Sequence, residues 1–233
     1  MNENPVQHAL TASTFFGLRV FTRTSDMLSL PVVSTGRSFS YYRKIFFGNR
    51  SESQVLENFK GKIIADIGCG LTPYISDSMF QACRREGVDF YGIDPKLAKG
   101  FKLGSFDKMK ARLFGGAGTI DANAPGLEKG FGTLADDLPF EDSSVDLILS
   151  NYVIYAWIED EVVLESIFRE FLRVLKPGGQ VKIFPTRHID TQRPGSSSYA
   201  DVMSGFDIKQ RFVGDVKRFM TYPPAYVTTY TKR

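Results

Sequence analysis

Short apolar runs alternate with amphipathic segments through the chain from residue 62 onward. Apolar runs bounded by Gly, Pro or Asp indicate buried strands, whereas apolar residues spaced three to four apart indicate helices. The predicted elements alternate along the chain, with strands at 62–67, 88–93, 131–134, 145–150 and 180–184 and helices at 76–86 and 161–175. Such alternation predicts a mainly parallel sheet whose crossover connections are right-handed.

The pattern changes after Pro185, where it predicts a short helix at 196–203 and two strands at 206–219 and 225–232. A turn at 222–224 joins these strands, and it is too short for a parallel crossover, so the strands are expected to pair antiparallel. The predicted fold class is therefore α/β. It is a Rossmann-like, mainly parallel seven-stranded sheet with helices on both faces and a C-terminal antiparallel hairpin at one edge.

The first 60 residues are different in composition, being rich in Phe, Ser, Thr and Arg without strong strand signals. A short helix is predicted at 51–59, and the aromatic, basic segment 39–47 is compatible with a helix. Two interpretations of its aromatic side chains stay open: they cover the core of the next domain, or they form a lid over a ligand site. The predicted organisation is an N-terminal helical extension over 1–54, a candidate lid, followed by the main domain over 55–233.

Composition and charge narrow the class of protein. The 233 residues are 42% hydrophobic and 24% charged, as in a globular protein, and a net charge of +3 does not require a nucleic-acid partner. Cys69 and Cys83 lack the spacing of a disulfide framework or a zinc site, which favours a reducing compartment. Because the sequence has no long apolar run and starts without a basic leader, we expect a cytoplasmic protein with no membrane partner.

The strongest chemical signal is the glycine-rich turn after the first predicted strand, which contains Gly68 and Gly70 and is preceded by Asp66. Glycine accepts positive φ and lets the backbone approach a ligand closely. Ligands of open α/β sheets bind beyond the carboxyl ends of the strands. Asp94 ends the next strand, where its carboxylate can accept hydrogen bonds from the hydroxyls of a ribose. Together these residues indicate a cofactor that contains adenosine.

Pro73 and Asp66 disfavour a dinucleotide among the cofactors that contain adenosine. A dinucleotide fingerprint needs a third glycine where this chain has Pro73. The carboxylate of Asp66 would also repel a pyrophosphate, whereas it would attract a cationic ligand. S-adenosylmethionine carries an ammonium and a sulfonium and no phosphate, so the electrostatics favour it.

At these residues the sequence resembles the class I S-adenosylmethionine-dependent methyltransferases. The motifs that carry the resemblance follow in the family's order, at 66–70, Asp94, 138–140, 144–146 and 175–179. The resemblance covers residues 55–233 and implies that this domain binds S-adenosyl-L-methionine. Two positions depart from the family: Thr72 replaces a third glycine found in many relatives, and Leu134 replaces a frequent Asp or Asn.

The resemblance implies a set of cofactor contacts by matching position. In chain order they surround the methionine part, the ribose, the adenine, and finally the methionine again with its methyl group. The residues at these positions are Asp66, Gly68, Gly70, Asp94, Ala135, Asp136 and Asn151.

The implied reaction is methyl transfer to a small-molecule acceptor, on oxygen, nitrogen or carbon, by in-line displacement. Such a reaction needs alignment and exclusion of water, so no metal is expected. The candidate catalytic residues are His188, after the fifth strand, and Tyr155, after the fourth. The basic segment 96–112 is either a solvated surface or a contact for an anionic acceptor. Residues 222–226 resemble an Asn-Pro-Pro-Tyr box, but the Asn is missing, so no nucleic-acid acceptor is expected.

Two alternatives stay open at this point. An NAD(P)-dependent oxidoreductase would share the strand, the glycine turn and the acid after the second strand. A non-catalytic module that binds S-adenosylmethionine would share every motif. The sequence indicates neither the acceptor nor the oligomeric state.

Overall fold

The computed structural model describes residues 4–27, 36–99, 120–121, 123–188, 197–214 and 222–233. Its framework is one seven-stranded sheet. The strands are β1 Ile63–Ile67, β2 Asp89–Ile93, β3 Gly130–Phe131, β4 Val145–Asn151, β5 Leu175–Thr186, β6 Phe206–Val213 and β7 Ala225–Lys232. Their spatial order is β3-β2-β1-β4-β5-β7-β6.

The central strands are parallel, and the chain ends in an antiparallel hairpin. β1 pairs in parallel with β2 and β4, and β4 pairs in parallel with β5. β7 is antiparallel to both β5 and β6, which leaves β6 at the sheet edge. Ile67 lies opposite Ile93 on one side and Ser150 on the other, so β1, β2 and β4 end at the same edge. This confirms the predicted fold class.

Helices cover both faces of the sheet. They are α1 Pro5–Met27, α2 Phe39–Tyr42, α3 Glu52–Phe59, α4 Met79–Arg85, α5 Glu161–Val174 and α6 Ser197–Ser204. Local sequence explains several of their ends: Ser51 forms a capping box with Gln54 at the start of α3, and the Asp160 carboxylate accepts the first amides of α5. Of the helices described, none has the length and apolarity needed to cross a membrane.

Two apolar cores lie on the two faces of the sheet. On one face, the aromatic residues of α2 and of the π-helical turn Arg43–Phe47 pack against β1, β2 and β4 together with α3 and α4. On the other face, α5 and α6 cover the sheet, and the fully buried Phe168 contacts five other aromatic rings. The aromatic side chains of segment 39–47 therefore cover the core, as the first interpretation predicted.

Some element boundaries differ from the prediction. β3 is only Gly130–Phe131, and β5 already begins at Leu175, because the glycine-rich stretch after α5 pairs with the start of β4 through an irregular register. α4 begins at Met79 because the Ser78 hydroxyl accepts from the Gln81 amide. Parts of the predictions for 96–112, 196 and 215–219 lie outside the described residues.

Candidate active site

The glycine turn lies at the shared carboxyl edge of β1 and β2. Gly68 and Gly70 have φ of +70° and +53°, which favours glycine at both positions. The Gly68 amide donates to the carbonyl of Ile93 at 2.7 Å, which fixes the turn against the end of β2. The turn is thus a rigid backbone cradle between two strands.

Asp94 connects the turn to the segment that follows β2. One carboxylate oxygen accepts from the Gly70 amide and the other from the Lys96 amide, each at 3.0 Å. A carboxylate oxygen has two lone pairs, so each can accept one further hydrogen bond. Asp94 therefore orders the turn and keeps capacity for two hydroxyl groups.

Asp66 is fully buried beneath the turn. Its Oδ2 accepts from the hydroxyl of Tyr42 at 2.7 Å, while its Oδ1 has no hydrogen-bond partner among the described residues. The pKa of this carboxyl is raised to about 8, mainly by burial and also by the charge of Asp94, while the Tyr42 hydrogen bond partly opposes this rise. A nearby cation would therefore strongly favour the ionised form of Asp66.

The N-terminal extension contributes residues that the sequence analysis did not assign to the site. Tyr42 lies in α2, and Gly36 packs so closely on the turn that an added Cβ would lie 3.0 Å from the carbonyl carbon of Leu71. The Arg37 guanidinium lies 5.0 Å from the ring centroid of Tyr41 and 5.6 Å from that of Tyr152. The sequence signal for Tyr42 was the aromatic, basic character of segment 39–47, whereas Gly36 and Arg37 lie before that segment.

Asn151 ends β4 beside β1, and its side-chain oxygen Oδ1 is buried without a partner among the described residues. The loop that follows is sharply turned, since Tyr152 and Tyr155 have positive φ of 62° and 64°. Val153 in this loop packs directly on Gly68, where an added Cβ would lie 2.0 Å from Val153 Cγ2. Positive φ at residues other than glycine, as at Tyr152 and Tyr155, costs energy and tends to occur at functional sites.

Ala135 and Asp136 follow β3 on the same edge of the sheet. The Asp94 amide donates to the carbonyl of Phe131 at 3.1 Å, which ties this segment to the end of β2. Ala135 is buried and Asp136 is exposed, with its Oδ2 3.5 Å from the Ser166 hydroxyl. All seven sequence-predicted cofactor positions therefore lie on strand ends or turns at one edge.

The two candidate catalytic residues have different surroundings. The Tyr155 hydroxyl lies 2.7 Å from that of Tyr199 and 3.2 Å from that of Tyr230, and burial raises the pKa of this phenol well above its usual value. His188 follows β5, with its ring edge toward Tyr226 at a centroid distance of 5.2 Å. Tyr155 is thus part of a buried phenol cluster, whereas His188 is half-buried just beyond the carboxyl end of β5.

The donor set fits a cationic nucleoside better than a dinucleotide. Two carboxylates flank the turn, and one of them has a buried oxygen that lacks a hydrogen-bond partner among the described residues and suits an ammonium group. A pyrophosphate in the same place would face both acids. Within the described residues, no group of three or more His, Cys, Asp or Glu side chains could hold a metal ion.

Comparison with known proteins shows that part of the chain is similar to methyltransferases. A family model described as a methyltransferase domain matches residues 123–183, the segment that holds Ala135, Asp136 and Asn151. Over 64 residues the chain is 47% identical to malonyl-[acyl-carrier protein] O-methyltransferase 1 of Coxiella burnetii, covering 28% of this chain and 21% of that protein. The matched part thus spans about a fifth of the length of this curated relative.

Similar solved structures include two methyltransferases. One, an S-adenosylmethionine-dependent enzyme from Methanosarcina mazei, is 20% identical, with 76% of this chain and 96% of that chain covered and a TM-score of 0.42. The N-methyltransferase NodS from Bradyrhizobium japonicum is 12% identical, with 76% and 89% covered and a TM-score of 0.44.

The domain match agrees with the strand order and the glycine turn. Together they confirm the resemblance to the class I S-adenosylmethionine-dependent methyltransferases. The family model and the curated relative show similarity to methyltransferases over the segment that they match.

Proposed function

We propose that the protein transfers the methyl group of S-adenosyl-L-methionine to a small-molecule acceptor. The observation that carries this proposal is the glycine turn between Asp66 and Asp94, in which a buried carboxyl oxygen has no partner among the described residues. A buried carboxyl favours an ammonium ligand and disfavours a phosphate. The reacting group would then lie at the carboxyl edge of β1 and β4.

The residues of the turn have distinct proposed roles toward the cofactor. Asp66, oriented by Tyr42, would bind the ammonium, and Asp94 would accept from the ribose hydroxyls. Arg37, held over two tyrosine rings beside the turn, is suited to the carboxylate of the methionine part. The glycines at 68 and 70 let the backbone approach without side-chain obstruction.

The remaining predicted contacts have roles that follow from their position. The buried Ala135 would meet the adenine through its backbone, and the exposed Asp136 through its side chain. Asn151, whose buried Oδ1 has no partner among the described residues, would face the methionine part near the methyl group.

In this reaction the protein mainly has to align the cofactor with the acceptor, and it does not itself have to activate a bond. S-adenosylmethionine carries the methyl group on a sulfonium sulfur. When the methyl group is transferred, this sulfur departs as a neutral thioether. Where the acceptor atom carries a proton, His188 would accept it just beyond the carboxyl end of β5. Tyr155, whose raised pKa keeps its phenol protonated, would instead hold the loop after β4 through Tyr199 and Tyr230.

Helix α1 supports a small acceptor and the predicted lid. Its Arg19 approaches Glu159 at 3.3 Å, and its Phe21 ring lies edge-on to Trp157, with centroids 6.4 Å apart. Its Thr14 hydroxyl also donates to the buried carbonyl of Pro224 at 2.8 Å. α1 therefore lies over the loop after β4, where it would enclose an acceptor and exclude water.

We place this reaction in the cytoplasm. Cys69 and Cys83 are both free and buried, and free thiols persist in reducing compartments. Binding of the cofactor by the pure protein does not depend on the compartment in which the protein works.

Binding of the demethylated cofactor tests the proposal directly. We expect S-adenosylhomocysteine to bind the pure protein with one-to-one stoichiometry in calorimetry and to raise its melting temperature, whereas NADH does neither. Asp94→Ala should weaken this binding by about 10- to 100-fold, because it removes hydrogen bonds to a charged acceptor. Asp207→Ala is the matched control, because Asp207 is an exposed acid on β6 that pairs with Arg233. This variant should bind S-adenosylhomocysteine normally.

Stabilisation by NADH without any effect of S-adenosylhomocysteine would favour the oxidoreductase alternative. Transfer of a labelled methyl group to any compound in an acceptor screen would exclude a module that only binds the cofactor.

The affinity for the cofactor should depend on pH. The pKa of Asp66 is raised to about 8, so this carboxyl must release a proton before it can pair with an ammonium. Affinity for S-adenosylhomocysteine should therefore rise from about pH 6 to pH 8, by at most about tenfold per unit for one coupled proton. Calorimetry in buffers of different ionisation enthalpy should detect proton release on binding. A flat affinity with no proton release would contradict the role of Asp66.

A further inference from the structure

A second concave surface lies on the opposite edge of the sheet from the candidate active site. It is a groove of about 370 Å³ at the amino-terminal ends of β1, β4 and β5, closed on one side by α3. Phe47, Phe59 and Leu147 form its apolar wall. The groove is separate from the glycine turn, because parallel strands place their two ends at opposite edges.

The charge in this groove is predominantly positive. Arg50, Lys62, Lys176 and Lys182 line it together with a single acid, Asp146. That acid is already engaged, since its Oδ2 lies 2.7 Å from the Lys176 ammonium and accepts from the Ile63 amide at 2.9 Å.

Within the part of the chain that the structure describes, three cations of the groove have no counter-ion. Among the described residues, the side chains of Arg50, Lys62 and Lys182 make no ion pair. The groove therefore holds a surplus of positive charge that its own carboxylate does not neutralise.

Lys182 is the most unusual of these cations. It lies on β5, with its ammonium 4.9 Å from the ring centroid of Phe47. Burial, together with the neighbouring positive charges of Arg50 and Arg211, lowers its pKa to about 8. A half-buried ammonium without an anion is costly to desolvate, and perturbed side chains in clefts are candidates for functional sites.

We propose that this groove binds a small ligand that carries a pyrophosphate or phosphate group, with Lys182 and Arg50 as its principal contacts. Lysine binds phosphate as a point charge and arginine binds it through paired donors, so the two side chains suit such an anion. The volume is that of a small-molecule site. The ligand would bind independently of the methyl donor, at the other edge of the sheet.

Inorganic pyrophosphate is the probe for this site. We expect saturable one-to-one binding in calorimetry at constant ionic strength, and a raised melting temperature. Lys182→Met should weaken the affinity by about tenfold or more, because it removes a charged contact while keeping the apolar stem. The variant should fold, since it removes a desolvated charge, and its affinity for S-adenosylhomocysteine should be unchanged.

Lys60→Gln is the matched control, because Lys60 is an exposed lysine just after α3 that pairs with Glu57 at 2.6 Å. Equal loss of pyrophosphate binding in both variants would reduce the effect to general surface charge and overturn the proposal. The absence of saturable binding would also overturn it, as would competition with S-adenosylhomocysteine, which would place the anion in the glycine turn. Carboxylates such as citrate that bind as tightly as pyrophosphate would overturn the assigned ligand class.

Discussion

Asp66→Asn should weaken cofactor binding while leaving the folded protein at least as stable as the natural chain. Asparagine keeps the shape of the side chain and can still accept from Tyr42, but it cannot pair with an ammonium. Losing a hydrogen bond between charged groups costs about 1.5–3 kcal/mol, so S-adenosylhomocysteine affinity should fall by about 10- to 100-fold. Calorimetry gives this ratio.

The stability of the same variant should depend on pH in a defined direction. Because the pKa of Asp66 is raised to about 8 in the folded protein, the folded state holds a proton that the unfolded chain releases at acidic pH. The stability contributed by this group is fully present below pH 3.8, its ordinary pKa, and is lost as the pH rises through the folded pKa. Asn carries no such loss, so at pH 8 the variant should gain about 1 kcal/mol or more in denaturant unfolding.

Asp89→Asn separates these effects from a general loss of negative charge. Asp89 opens β2 at the surface, where its Oδ1 lies 2.8 Å from the Lys129 ammonium. This variant should change stability by about 0.5 kcal/mol or less and leave cofactor affinity intact. If Asp66→Asn instead unfolds the protein or binds S-adenosylhomocysteine normally, Asp66 is a structural acid and not the ammonium ligand.

The sequence predicts the parts of the fold that depend on local pattern. β4 reads as a continuous apolar run because helices cover it on both faces, and α5 reads as a helix because its apolar residues recur at helical spacing. Asp66 and Asp94 were found because one lies two residues before Gly68 at the end of β1 and the other lies directly before Pro95 after β2, and parallel strands bring their ends together at one edge.

The parts that the sequence did not predict depend on contacts between distant segments. The hydrogen bond from Tyr42 to Asp66 joins the N-terminal extension to β1, and no periodicity in either segment encodes it. The N-terminal extension was predicted to be helical, but the bounds of α1 were not predicted, because its apolar residues lie on more than one face: Phe15 is buried, whereas Phe16 and Val20 are exposed. Likewise, Val153 packs on Gly68 because the backbone takes a left-handed turn at Tyr152. A tyrosine in the sequence does not predict such a turn.

Gly68→Ala should destabilise the protein and displace the cofactor turn, because two penalties coincide at this position. The backbone has φ of +70°, which costs a residue with a Cβ about 1–2 kcal/mol. The new Cβ would also lie 2.0 Å from Val153 Cγ2, and overpacking of this kind costs about 1–3 kcal/mol more. Denaturant unfolding should show a loss of about 2–5 kcal/mol, with S-adenosylhomocysteine binding lost in the fraction that stays folded.

Gly61→Ala isolates the backbone penalty, because Gly61 has nearly the same φ of +69° but nothing within 4 Å of an added Cβ. It should cost only about 1–2 kcal/mol and leave cofactor binding intact. Adding Val153→Ala to Gly68→Ala removes the Cγ2 collision and leaves Val153 Cβ, 3.0 Å away, as the nearest atom. The two substitutions should therefore couple favourably, by about 1 kcal/mol or more in a double-mutant cycle. Equal losses in Gly61→Ala and Gly68→Ala, with no coupling to Val153, would mean that the loop after β4 yields freely and does not hold the turn in place.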